Sequence, residues 1–158
     1  MRRTIISAAL TTVLAMGVFT SCSENSDSNV VVPQFRGIEF NKDLVAGSEV
    51  VATAVQSKTG RYIDRTTYSW SFEEAQYVGG GVSGVFYGSD KRDPTCTIRL
   101  PETPGRYTVT FNATYNVSGK AGNSTKEVDI SGGKITYTTS PFTCTVKISQ
   151  QVRVVAAQ

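Results

Sequence analysis

The sequence predicts an all-β sandwich, and three observations carry that prediction. From Phe35 onward apolar and polar residues alternate with period two, the mark of strands with one buried face. Turn-forming residues interrupt the alternation about every 8 to 12 positions, the spacing of short antiparallel strands. Valine and threonine, which favour a pleated backbone, make up 39 of the 158 residues. After the N-terminal segment no helical period is visible, and 73–77 reads as one turn at most.

The chain opens on a targeting segment rather than on the fold. Arg2 and Arg3 precede an apolar run of 15 residues, 5–19, that contains no charge. A membrane-spanning helix needs about 20 apolar residues, so length and flanks read as a cleaved secretory signal. The run ends in Phe19-Thr20-Ser21-Cys22. This end resembles the bacterial lipobox, in which small residues precede a cysteine that takes a diacylglycerol on its sulfur before the signal is cut. The resemblance implies a signal peptide over 1–21 and lipidation (palmitate-type acylation) at Cys22. Phe19 stands where that family usually has leucine. Ser23-Glu24-Asn25-Ser26-Asp27-Ser28-Asn29 is small, polar and acidic, and 22–34 reads as a tether. It is similar to the acidic stretch behind the cysteine in surface lipoproteins of the Bacteroidota. That likeness implies an outer-membrane protein facing the cell surface, with the periplasmic face as the alternative.

The remaining 35–158 is expected to hold the sandwich. Short strands are expected at 37–40 and 48–56. The segment 66–72 places Tyr68, Trp70 and Phe72 on one face. An edge piece is expected at 85–87. Strand 95–100 puts Cys96, Ile98 and Leu100 in phase, and 106–116 does the same for Tyr107, Val109, Phe111, Ala113 and Tyr115. Segments 126–130 and 135–139 read as a hairpin through Ser131-Gly132-Gly133-Lys134. Strand 142–148 aligns Phe142, Cys144, Val146 and Ile148 toward the core, and 151–155 is either a further strand or its continuation.

Seven to nine strands in such a length suit an immunoglobulin-like sandwich. Tyr68-Ser69-Trp70-Ser71-Phe72 and Pro104-Gly105-Arg106-Tyr107-Thr108-Val109-Thr110-Phe111 resemble the Y-x-W-x-F and P-G-x-Y-x-V strands of PKD-like domains. The resemblance spans 36–118 and implies an adhesive or spacer module. The chain departs from that family after Trp70, where Ser71 and a Glu73-Glu74 pair replace an aspartate and a G-D-G turn.

Composition removes several chemistries. There is no histidine, so no Ser-His-Asp or Cys-His nucleophile pair and no imidazole metal site can form. Glu73 and Glu74 are adjacent, so on a strand they point to opposite faces and cannot flank one scissile bond. No run of oxygens suits calcium, and Asp90-Lys91-Arg92-Asp93 reads as a solvated loop. Gly79-Gly80-Gly81-Val82-Ser83-Gly84 matches G-x-G-x-x-G formally but lacks the flanking strand and helix of a dinucleotide site; it reads as a mobile loop. The expectation is therefore no enzyme activity, no cofactor and no metal. Losing Arg2 and Arg3 lowers the net charge from +3 to +1, and no basic stripe remains for nucleic acid.

Cys96 and Cys144 are both expected to face inward. Paired, they would close a 49-residue loop, for about 4 kcal/mol in the chain-entropy account. The alternative is two buried thiols. Tyr77, Phe86 and Tyr87, aromatics flanking the glycine run, and Tyr62 are the candidate ligand contacts. The function expected is a lipid-anchored, non-enzymatic envelope module for binding or spacing, its protein or glycan partner unknown. A carbohydrate-binding module of the same fold is the alternative, and it requires those four rings on one surface.

Overall fold

A computed structural model describes residues 29–87 and 93–158. The expected signal peptide, Cys22 with the first part of its tether, and Asp90-Lys91-Arg92 lie outside the described residues.

Ten strands follow in chain order: β1 (Gln34–Phe40), β2 (Glu49–Lys58), β3 (Ile63–Phe72), β4 (Gln76–Gly80), β5 (Ser83–Tyr87), β6 (Thr95–Arg99), β7 (Gly105–Val117), β8 (Ser124–Ile130), β9 (Gly133–Thr139) and β10 (Thr143–Val154). They form two antiparallel sheets packed as a sandwich, one ordered β1-β2-β6-β4 and the other β5-β3-β7-β10-β9-β8. The described residues contain no helix.

The alternation in β7 decides where the core sits. Tyr107, Val109, Phe111, Ala113 and Tyr115 are all buried, while the residues between them are not. Phe111 is the hub. Its ring lies 4.8 Å from Trp70, 5.6 Å from Phe35 and 6.2 Å from Tyr68, centroid to centroid. These tilted aromatic contacts add to the burial of the rings themselves. Tyr107 closes the other end of β7, its hydroxyl donating to the Thr103 carbonyl at 2.7 Å.

β10 pairs with β7 without interruption from Thr143 to Val154, so the two expected segments 142–148 and 151–155 are one strand. β8 and β9 form the expected hairpin, turning at Ser131-Gly132 with Gly132 at φ 77°. A Cβ on Gly133 would run into the Ser149 carbonyl of β10, so only glycine lets the two strands approach there.

β1 is joined to the opposite sheet by side chains. Gln150 on β10 accepts the Ile38 N–H at 3.0 Å and donates to the Ile38 carbonyl at 3.2 Å, as a neighbouring strand would. The Tyr137 hydroxyl on β9 accepts the Phe35 N–H at 3.1 Å. Gly37, at φ 143°, sits where β1 slips register against β2, beside the Gln150 amide.

Four expectations need correction. Residues 76–80 form strand β4, paired to β6. All five of its residues are exposed, so no alternation betrays it, and its glycines disfavour a strand unless a neighbour supplies the ladder. The glycine run is not one loop: Gly79 and Gly80 end β4, Gly84 lies in β5, and only Gly81-Val82 crosses from one sheet to the other. Phe142 does not face the core but is 80% exposed. The turn held by Ser140, whose N–H donates to the Thr143 carbonyl, starts β10 one residue later and turns the ring outward.

The fourth correction is the disulfide: Cys96 and Cys144 are free, buried thiols. Their strands explain why. Cys144 lies on β10, the strand on which β1 packs. Cys96 lies on β6, two strands away from β1 in its own sheet, which is about 10 Å sideways. Bridging requires Cα atoms within about 7 Å.

Candidate functional site

Three surfaces carry residues whose exposure or charge the fold itself does not use. The first is the end of the sandwich where the described chain begins. The Asn29 N–H donates to the Lys120 carbonyl at 3.1 Å, and the Lys120 N–H donates back to Asn29 Oδ1 at 2.8 Å. Val31 exchanges both backbone hydrogen bonds with Arg61, at 3.2 and 3.0 Å. The Ser118 N–H donates to the Tyr62 carbonyl at 2.9 Å, and the Val117 N–H to the Phe142 carbonyl at 3.0 Å. Val31, Tyr62 and Phe142 are thereby gathered at one end, all exposed. Tyr62 has φ 58°, a left-handed backbone that is uncommon for a bulky residue. Gly119 makes that fit possible, because a Cβ there would meet Tyr62, Val30 and Asn29.

The second surface is the side where β4 and β5 form the edges of the two sheets. Tyr77, Val78, Val82 and Val85 are exposed there. Tyr77 is only partly available, since its hydroxyl donates to the Trp70 carbonyl at 2.9 Å and so ties β4 to β3. Burial, then the nearby Cys96, raises the Tyr77 hydroxyl pKa above its ordinary value. Gly81 and Gly84 lie against the Tyr68 ring, leaving no room for a Cβ at either position.

The third is a pocket of about 750 Å³ at the opposite end from Asn29. Phe40, Leu44 and Val155 give it an apolar wall, and Lys42, Asp43 and Arg153 rim it. Arg153 stands directly opposite Arg106 on the β7–β10 ladder, and neither has an ion-pair partner among the described residues. Like charges in that position repel.

Of the expected ligand aromatics, Tyr62 and Tyr77 lie on different parts of the sandwich, and 86 and 87 fall on β5 opposite Thr66 and Arg65. Tyr62 lies at the end of the sandwich, Tyr77 on β4 of the smaller sheet, and Phe86 and Tyr87 on β5 of the larger one. The two thiols are poor nucleophiles in this setting: burial raises the pKa of Cys96 and pushes Cys144 up to about 11, so both are protonated at neutral pH. No group of three or more Cys, Asp or Glu able to hold a metal occurs among the described residues.

Sequence reasoning missed Phe142 and the Arg153 pocket. Ser140-Pro141 before Phe142 is a turn signal that argues against an inward ring there. The pocket joins 40–45 to 153–158, and no sequence pattern reports that meeting. Comparison with family models, with curated proteins and with solved structures finds no match to this chain.

Proposed function

We propose that this chain is a lipid-anchored, non-enzymatic binding or spacer module of the bacterial outer membrane, carried on Cys22 and displayed toward the cell surface. The observation that carries the reading is the Phe19-Thr20-Ser21-Cys22 end of the apolar segment, followed twelve residues on by the first strand at Gln34. A cysteine so close to a folded domain, behind a run too short to span a bilayer, suits a lipid as the sole anchor. The spacing also leaves the domain free of any need for its own membrane segment.

The finer fold reading belongs with this proposal. The orders β1-β2-β6-β4 and β3-β7-β10 correspond to the two sheets of a seven-stranded immunoglobulin-like domain. β5 then extends one edge and the β8–β9 hairpin the other. The Tyr107 hydroxyl on the Thr103 carbonyl supports the reading, since such domains carry a tyrosine of this kind at the start of the corresponding strand. PKD-like character rests on the 68–72 and 104–111 motifs alone.

Mass spectrometry of the mature N-terminal peptide tests the anchor. A peptide starting at Cys22 with diacylglycerol and acyl mass is expected; one that starts at Met1, or lacks acyl mass, overturns it. Protease shaving of intact cells tests display, with loss of the domain expected. The separate placement of Tyr62 and Tyr77 weighs against a glycan-stacking platform, and binding on a glycan array would restore that alternative.

A further inference from the structure

We propose that the end of the sandwich bearing Asn29 is a membrane-contacting face, and that Val31, Tyr62 and Phe142 seat in the headgroup region of a phospholipid bilayer. The inference rests on the reading of Cys22 as lipidated and adds an orientation to it.

Chain length is the first argument. Six residues separate Cys22 from Asn29, and the seven backbone steps can reach at most about 25 Å. Asn29 is fixed to Lys120 by two backbone-anchored hydrogen bonds, so the exit point cannot wander over the domain. A lipid on Cys22 therefore keeps this end, and not the pocket end, next to the bilayer.

The residues found there suit that position. Phe142 is 80% exposed, the most exposed large apolar residue described, and no ring among the described residues stacks on it. The Ser140–Thr143 turn holds it out through backbone and hydroxyl hydrogen bonds. Tyr62 is held outward by a left-handed backbone rather than folded onto the sheet. An apolar ring and an amphipathic ring on loop tips match the composition of membrane-interface contacts. Lys58, Arg61, Arg65 and Lys120 belong to the segments that meet at this end, and Asp64, Asp93 and the tether's Glu24 and Asp27 balance them. The contact therefore rests on the exposed rings and the anchor, not on net charge.

The test uses the full lipidated chain in vesicles of phosphatidylethanolamine and phosphatidylglycerol, with plain or brominated acyl chains. Trp70 is the only tryptophan and is buried, so it gives a constant background. Phe142→Trp and Tyr62→Trp place reporters on the proposed face at exposed positions, and Val78→Trp places one on β4. Brominated lipid is expected to remove about half or more of the added emission at 142 and 62, as for rings at the headgroup level. The Val78→Trp and parent signals should not change. Vesicle flotation and acyl mass on Cys22 are read on the same samples. Protein that floats, with no more quenching at 142 and 62 than at 78, overturns the membrane face and leaves the lipid anchor standing. Protein without acyl mass that fails to float overturns both.

Discussion

The larger sheet ends in two unlike edges. On one side β8 carries Lys126, Glu127 and Asp129, pairs with β9 along its whole length, and ties down with a Lys134–Glu127 ion pair at 2.8 Å. On the other side β5 carries no charge and sits beside β4, with Val78, Val82 and Val85 exposed. Charged side chains on an outer strand discourage addition of another chain. β5 lacks that guard and depends instead on the Gly81-Val82 crossing, which lets β4 and β5 cap both sheets on the same side. One edge is protected by side-chain chemistry, the other by chain path.

Mutations that disturb the two edges differently sharpen this contrast. The largest effect is expected at the centre they share: Phe111→Ala removes the ring that touches Phe35, Tyr68 and Trp70 and should cost about 3–5 kcal/mol in urea unfolding. Next comes Gly133→Ala on the β8–β9 side, where the new methyl meets a backbone carbonyl that cannot rotate away; about 3 kcal/mol is expected. Gly84→Ala on the β5 side meets the Tyr68 ring, which can shift, so a smaller loss of about 1–2 kcal/mol is expected by the same measurement. Equal costs at the two glycines would erase the distinction.

A pH titration probes the buried face between centre and edge. Burial raises the Cys144 pKa from 9.0 to about 11, so the folded state holds the proton more tightly than the unfolded one. The associated stability is fully present below about pH 9 and is lost as pH rises through about 11. Cys144→Ala should flatten the fall in urea midpoint over that range. The smallest effects on stability belong to the outer strands. Val85→Lys, and Lys126→Val with Glu127→Val, should each change stability by no more than about 0.5–1 kcal/mol. Their effects on association should be opposite: light scattering at high concentration should fall for the first and rise for the second.

The same contrast explains what could be read from sequence. β7, β9 and β10 have one face against the core, so their alternation was visible, and with it the hub of Tyr107, Val109, Phe111 and Tyr115. β4 is exposed throughout and glycine-rich; its strand character comes from pairing with β6, which no local pattern encodes. The inward phase of the two cysteines was legible because phase is local. Their separation was not, because it depends on which strands of opposite sheets face one another. The candidate surfaces divide likewise. Cys22 and its flanks form a contiguous motif, whereas the meeting of Val31, Tyr62 and Phe142 results from hydrogen bonds between residues far apart in the chain.

The Gln150 amide has a mechanical consequence. A protein held by its N-terminus feels any pull on its outer end as a load entering at Asn29 and passing into β1. β1 runs from that end toward the far end, so such a load acts along the strand, in shear against β2 and against the Gln150 side chain. Rungs loaded in shear share the force, whereas rungs that are peeled fail one at a time. Gln150→Ala would leave β1 tied to the opposite sheet only through the Tyr137 hydroxyl at Phe35, and the first strand to bear tension would lose its attachment to β10.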